Sequence, residues 1–207
     1  MTDRRRPTTR RASDPPRGDP PRPPSPDPAR ASGGRWFLAC WPDTATRQAL
    51  QRQQAAWVWP PGARPTPPER LHLTLHFIGA LPAAALPALR RALDTVDAAA
   101  PAVWTLAPAE VWPSGIVALV PVRVPGAAAA LHAALADVLR GQGLAVESRP
   151  WRPHVTLARA ARGATPASGG AAGAVHWTAS GFELVRSDGG YHRVTRWPPA
   201  AGDRRGR

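Results

Sequence analysis

Two runs of the chain alternate apolar and polar residues with the two-residue period of a half-buried strand: Leu71-His72-Leu73-Thr74-Leu75 and Pro153-His154-Val155-Thr156-Leu157. Around them the pattern changes period. "RWFLACW" from Arg35 is a short apolar run of strand length, and Pro42-Asp43-Thr44 then supplies N-cap chemistry for a helix over Thr44 to Trp57. The prolines of 60–69 forbid regular structure, and the first alternating strand runs from Arg70 to Gly79. Residues 82–100 read as a helix with Leu86, Leu89 and Leu93 on one face and Pro87 in its first turns. A hairpin follows, 102–112 and 116–124 around Pro113-Ser114-Gly115. Residues 125–143 read as a helix with Leu131, Leu135, Val138 and Leu139 at three-four spacing. The second alternating strand, 149–160, and a flexible loop over 162–174 come next. One strand over 175–187, the turn Asp188-Gly189-Gly190 and a strand over 191–197 close the pattern as a further hairpin.

Strands and helices alternate, yet several neighbouring strands are hairpins, so the expected class is α+β with mostly antiparallel sheets. Each half has a helix leading to an alternating strand, and the two histidines lie 82 residues apart. A duplicated unit predicts two lobes that face each other across a cleft.

Composition narrows the picture. Residues 1–34 are rich in Pro, Arg and Ser and have almost nothing to bury, which predicts a disordered tail, and 200–207 reads likewise. The folded domain is therefore expected over 35–199. The net charge is +13, and all 27 basic residues are arginine. The N-terminal tail holds eight arginines against four aspartates and the C-terminal tail three against one, which leaves a surplus of seven on the body. A basic body suits a phosphate-bearing partner. Cys40 is the only cysteine, so neither an intrachain disulfide nor a Cys-based zinc site is expected. No apolar run approaches membrane-spanning length, and no apolar segment follows the N-terminal arginines. The expected location is the cytoplasm, with no membrane partner.

In a strand, residues two apart share a face. His72 therefore stands beside Thr74, and His154 beside Thr156, with Leu73, Leu75, Val155 and Leu157 turned to the core. Six His and 13 Thr in 207 residues give about 0.4 chance copies of His-x-Thr, so one copy carries little weight. Two copies, each followed by Leu in an apolar strand, are far less expected. One neutral imidazole can take a proton from water while a second, protonated, gives one to a leaving oxygen. Two hydroxyls can donate to the non-bridging oxygens of a phosphate between them. Arg159, at the end of the second strand, can pair with that phosphate. A cyclic phosphodiester suits this set, because ring strain helps and no strong nucleophile or metal is needed.

On these motifs the chain resembles the 2H phosphoesterases, and within them the bacterial RNA 2′,3′-cyclic phosphodiesterases, historically called 2′-5′ RNA ligases. The resemblance spans about 35 to 199 and includes "RWFLACWPD", "LHLTLHFIG", "RPHVTLAR" and "FELVRSDGGYHRVTRWP". It implies a two-lobed fold of two mostly antiparallel sheets related by a pseudo-twofold, with helices outside and a central cleft. It also implies hydrolysis of an RNA terminal 2′,3′-cyclic phosphate to a 2′-phosphate, without metal or other cofactor. His72 would be the proton donor toward the 3′ oxygen and His154 the proton acceptor on water. Thr74 and Thr156 would bind phosphate oxygens, and Arg159 matches the arginine after the family's second motif. The implied partner is an RNA 3′ end with a cyclic phosphate, tRNA-derived ends being one candidate, and a monomer is expected. The Pro-rich N-terminus lies outside the family pattern.

Other readings use the same residues. A small cyclic nucleotide, a cyclic phosphate of an ADP-ribose derivative or reversible 2′-5′ RNA ligation needs the same four polar groups. A non-catalytic RNA-binding module needs only the basic cleft. His76 falls on the His72/Thr74 face by strict alternation and would line the rim or the surface. His132, His176 and His192 read as structural, His192 beside Tyr191 being within reach of a base. Trp112 and Trp151 read first as packing and second as base-stacking platforms.

Overall fold

A computed structural model describes residues 34–168 and 173–198. The expected tails therefore lie outside the described residues, apart from Gly34, as do residues 169–172 of the loop. Strand β1 (Arg35–Cys40) is apolar after its exposed first residue because both its faces are covered: Trp36, Leu38 and Cys40 join the main core, while Phe37 and Ala39 join a small second cluster with Val185. Helix α1 (Thr44–Ala55) starts where Asp43 caps it, its carboxylate accepting from the Thr46 N–H at 2.7 Å. That bond holds the Asp43 carboxyl below its ordinary range. The helix ends two residues short of the expected Trp57, which enters the two-residue strand β2 (Trp57–Val58). β3 (Arg64–Pro65) is a two-residue strand inside the proline-rich segment that was expected to be loop.

The first motif strand is β4 (Leu73–Ala80), and α2 (Leu86–Leu93) buries Leu89 and Leu93 with Pro87 in its first turn. β5 (Ala102–Val111) and β6 (Val117–Pro121) form the expected hairpin. α3 (Gly126–Gly141) follows, and the second motif strand is β7 (Val155–Arg159). β8 (Thr165–Pro166) pairs with β2. The final stretch departs from expectation: 175–187 is two strands, β9 (Val175–Ala179) and β10 (Phe182–Ser187), before β11 (Tyr191–Trp197). Gly181 makes the break. Its φ is 74°, and a Cβ there would lie 1.8 Å from the Trp197 carbonyl oxygen, so only glycine fits.

That break sends the chain from one half of the fold to the other. The strand order is β11-β10-β1-β4-β7-β6-β5-β9, with β3 added on β7. Among the described residues every pairing is antiparallel, and four strands of this order lie on each side of the β4–β7 joint. Each inner pair is a strand, a helix and a motif strand (β1-α1-β4 and β6-α3-β7), and each outer pair is a hairpin or its equivalent. This is the α+β, pseudo-twofold arrangement the duplication implied. The two halves differ from independent sheets in one respect: a single residue pair, Leu73 with Val155, joins them into one curled sheet. The helices reinforce the joint, since α1 packs on β7 and β9 of the other half, while α3 packs on β4 of the other half and on β5 of its own. One core cluster accordingly runs under both halves.

Candidate active site

His72 and His154 each occupy the residue immediately before its motif strand, so the residues that follow them, Leu73 and Val155, are the pair that joins the halves. Both are completely buried on the helix side. Continuing that antiparallel register by one residue each way sets His72 across from Thr156 and His154 across from Thr74, all four on the face opposite the helices. The structure thus brings together the four polar residues that the sequence singled out.

Each imidazole is oriented in the same way. His72 Nδ1–H donates to the Arg70 carbonyl at 2.6 Å, and His154 Nδ1–H to the Arg152 carbonyl at 2.9 Å. Both acceptors lie two residues upstream. This tautomer leaves each Nε2 free to take or hold the working proton. Thr74 Oγ1 donates to His72 Nε2 at 3.2 Å. His72 is stacked on Trp41, with centroids 5.0 Å apart and planes 8° apart, and is flanked by Phe37 and Tyr191. This enclosure pushes its pKa down to about 4. Burial is the main cause; the nearby His154 and Arg159 charges add to it, and the bond to the Arg70 carbonyl opposes it. His154, against the Trp112 ring at 4.6 Å, is also lowered, by burial first and then by Arg159 and Arg152. Both imidazoles are therefore mainly neutral at pH 7.

A bulge in each motif strand sets the rest. β1 residues Leu38 and Ala39 pair with His76 and Thr74, skipping Leu75; β6 residues Val117 and Ala118 pair with Ala158 and Thr156, skipping Leu157. The extra residue follows the motif threonine in both halves and inverts the alternation beyond it. Strict alternation would turn Arg159, five residues after His154, to the core face. The bulge turns it back toward the imidazoles, whose titration it influences. The same inversion corrects the expectation for His76, which does not line the rim. It is buried on the helix side, its Nε2–H donating to the His132 carbonyl at 2.8 Å and its ring stacked on His132 at 4.0 Å. His132 stacks in turn on Trp151 at 4.2 Å, and Trp151 Nε1–H donates to the Thr74 carbonyl at 3.3 Å. Trp151 is thus a brace behind the site and does not face it. His192 bonds to Asp188 at 2.7 Å and His176 lies near Thr105.

Sequence reasoning passed over several residues that shape the site. Arg70 and Arg152 precede their histidines by two, a repeat visible in "RLHLT" and "RPHVT". Each lies over an aromatic ring that touches its histidine: Arg70 over Tyr191 at 5.4 Å, Arg152 over Trp112 at 4.2 Å. Glu110 accepts from both Arg152 (2.7 Å) and Trp112 Nε1 (2.8 Å). In the other half the buried Glu183 is bound by Arg193 Nε and Nη2, the latter to Oε1 at 2.6 Å, and Arg193 lies over Trp41. Only the Arg-x-His-x-Thr repeat left a signal in sequence. Among the described residues, no group of three or more His, Cys, Asp or Glu side chains is placed to hold a metal ion.

The family model of the 2′-5′ RNA ligase superfamily matches residues 43–191. The chain belongs to that superfamily. Its 2H phosphoesterase membership thereby rests on a match that spans both motifs, and solved structures agree with it. LigT of E. coli complexed with 3′-AMP is similar with a TM-score of 0.70 at 25% identity, over 82% of this chain and 99% of LigT. A crystal structure described only as a phosphoesterase has TM-score 0.70 at 25% identity, over 80% and 98%. The TT0787 protein of Thermus thermophilus has TM-score 0.57 at 27% identity, over 78% and 96%. No curated protein sequence matches significantly. Among the described residues of this superfamily member, no helix is long and apolar enough to cross a membrane.

Proposed function

We propose that the chain hydrolyses the terminal 2′,3′-cyclic phosphodiester of RNA to a 2′-phosphomonoester. The observation that carries this reading is the crossed square of His72, Thr156, His154 and Thr74 around the Leu73–Val155 joint, with both Nδ1 atoms tied to backbone carbonyls. His154 Nε2 takes a proton from water as the water oxygen bonds to phosphorus. The phosphorus–O3′ bond breaks on the opposite side, and His72 Nε2–H gives its proton to O3′. The step leaves a 3′-hydroxyl and a 2′-phosphate, and needs no group beyond those named.

The electrostatics supply an order of events. A neutral His154 is ready to act as the base. His72 gains its proton when the phosphate anion enters, since a nearby negative charge raises an imidazole pKa. Protonation at Nε2 ends its acceptance of the Thr74 hydroxyl, which then turns to a phosphate oxygen. Thr156 and Arg159 meet the remaining charge. That E. coli LigT was crystallised with 3′-AMP and with phosphate supports a nucleotide phosphate as the ligand of this fold.

The test is hydrolysis of a short RNA ending in a 2′,3′-cyclic phosphate, in EDTA, with the product's regiochemistry determined. The expected product is the 2′-phosphate, and His72→Ala or His154→Ala should each lower kcat by about 10²- to 10⁴-fold. Thr74→Ala or Thr156→Ala should cost less, about 10²-fold. A strict metal requirement, or a 3′-phosphate product, would overturn the mechanism.

A further inference from the structure

Arg64 stands directly across from Arg159 in the β3–β7 ladder. Residues opposite each other in an antiparallel pair present their side chains to the same face, and two like charges there repel. Two cations that lie over rings of the site have a carboxylate, Arg152 with Glu110 and Arg193 with Glu183, while Arg70 donates to the Gly189 carbonyl. Arg64 and Arg159 have no such carboxylate among the described residues, and both are exposed.

The fold fastens this unfavourable pair in place. β3 is only two residues long, yet its neighbour Thr66 N–H donates to the Leu157 carbonyl at 2.8 Å. Gln54 of α1 reaches across with Nε2, donating to both the Thr66 and the Leu157 carbonyls at 2.8 Å. Leu157 is the bulged residue of β7, so the segment is held at the point that turns Arg159 toward the imidazoles. Pro60, Pro61, Pro65, Pro67 and Pro68 stiffen the approach. Two uncompensated guanidinium groups on a fixed stretch of backbone are matched by an anion that lies between or along them.

We propose that Arg64, beside Arg159, binds the phosphodiester on the 5′ side of the terminal nucleoside, and that the substrate is therefore an RNA chain and not a lone cyclic nucleotide. This rests on the cyclic phosphate occupying the two-histidine site: Arg159 then borders the scissile phosphate, and Arg64 extends the positive surface one step along the strand. The chemistry is that of any RNA backbone phosphate, without regard to base.

The experiment compares a nucleoside 2′,3′-cyclic phosphate with a dinucleotide that ends in the same group, using wild-type protein and Arg64→Gln. The ratio of kcat/KM, dinucleotide over mononucleotide, should fall by about tenfold or more in the variant, the weight of one charge-assisted contact. The slope of log kcat/KM against log salt for the dinucleotide should become shallower by about 0.7. An unchanged ratio, or an equal loss on both substrates, would overturn the proposal. Binding is measured in parallel, with a dinucleotide 3′-phosphate against a nucleoside 3′-phosphate. If wild type turns over neither substrate, the hydrolytic reading fails, and the change in the Kd ratio on Arg64→Gln still decides whether Arg64 holds the phosphate.

Discussion

Replacing His132 with Phe should make the protein less sensitive to acid. His132 is the middle ring of the His76–His132–Trp151 stack, 4.0 Å from one neighbour and 4.2 Å from the other. Its pKa is pushed down to about 4, by burial first and then by the His76 and Arg140 charges. The unfolded value is about 6.5. Above pH 6.5 neither state holds the proton, and the stack's full contribution is present. As pH falls through 6.5 the unfolded chain takes up a proton that the folded ring refuses, and stability drops by about 1.4 kcal/mol per unit until pH 4. Between pH 7 and pH 5 a fully buried ring would cost about 2 kcal/mol. His132 is half-buried, so solvent screening reduces this to about 1 kcal/mol. Phe keeps a flat ring in the stack and removes the titration. Urea denaturation at pH 7 and pH 5 should show the variant losing about 1 kcal/mol less than wild type, with similar stability at pH 7. An equal loss in both proteins would refute the idea that the stack resists protonation.

Three further outcomes follow from the same structure. Because both imidazoles are held below 6.5, the singly protonated pair is populated on the acid side, so kcat/KM should peak below pH 6.5. The kcat maximum should lie higher, since bound phosphate raises His72; a kcat/KM maximum above neutrality would contradict the electrostatic account. Gly181→Ala should cost more than about 3 kcal/mol, because it combines a left-handed φ with a clash against the Trp197 carbonyl; thermal denaturation measures it. Cys40 is buried and its thiol is pushed up to about 12, by burial first and Glu183 second. Thiol-reactive dye at pH 8 should therefore label it only at the rate of unfolding.

The period-two runs by themselves determined that His72 shares a face with Thr74 and His154 with Thr156, because a strand alternates its side chains whatever it pairs with. The apolar periods also located α1, α2 and α3, and the hairpin turn at Ser114-Gly115 needed only local chemistry. Beyond that point local pattern loses its hold. A bulge is a mismatch between two strands, so the extra residues Leu75 and Leu157 have no signature within β4 or β7 alone. They decide that His76 faces α3 and that Arg159 faces the site. The division of 175–187 into β9 and β10 left only Ser180-Gly181 as a local mark, and it takes effect because β5 claims one piece and β1 the other. The rings around His72 come from two distant segments, Phe37 and Trp41 at β1 and Tyr191 at β11, and only the curled sheet collects them. Sequence thus determined which side chains could do the chemistry. The tertiary structure decided which of them meet, because register, bulges and burial are properties of pairs of strands and not of either strand alone.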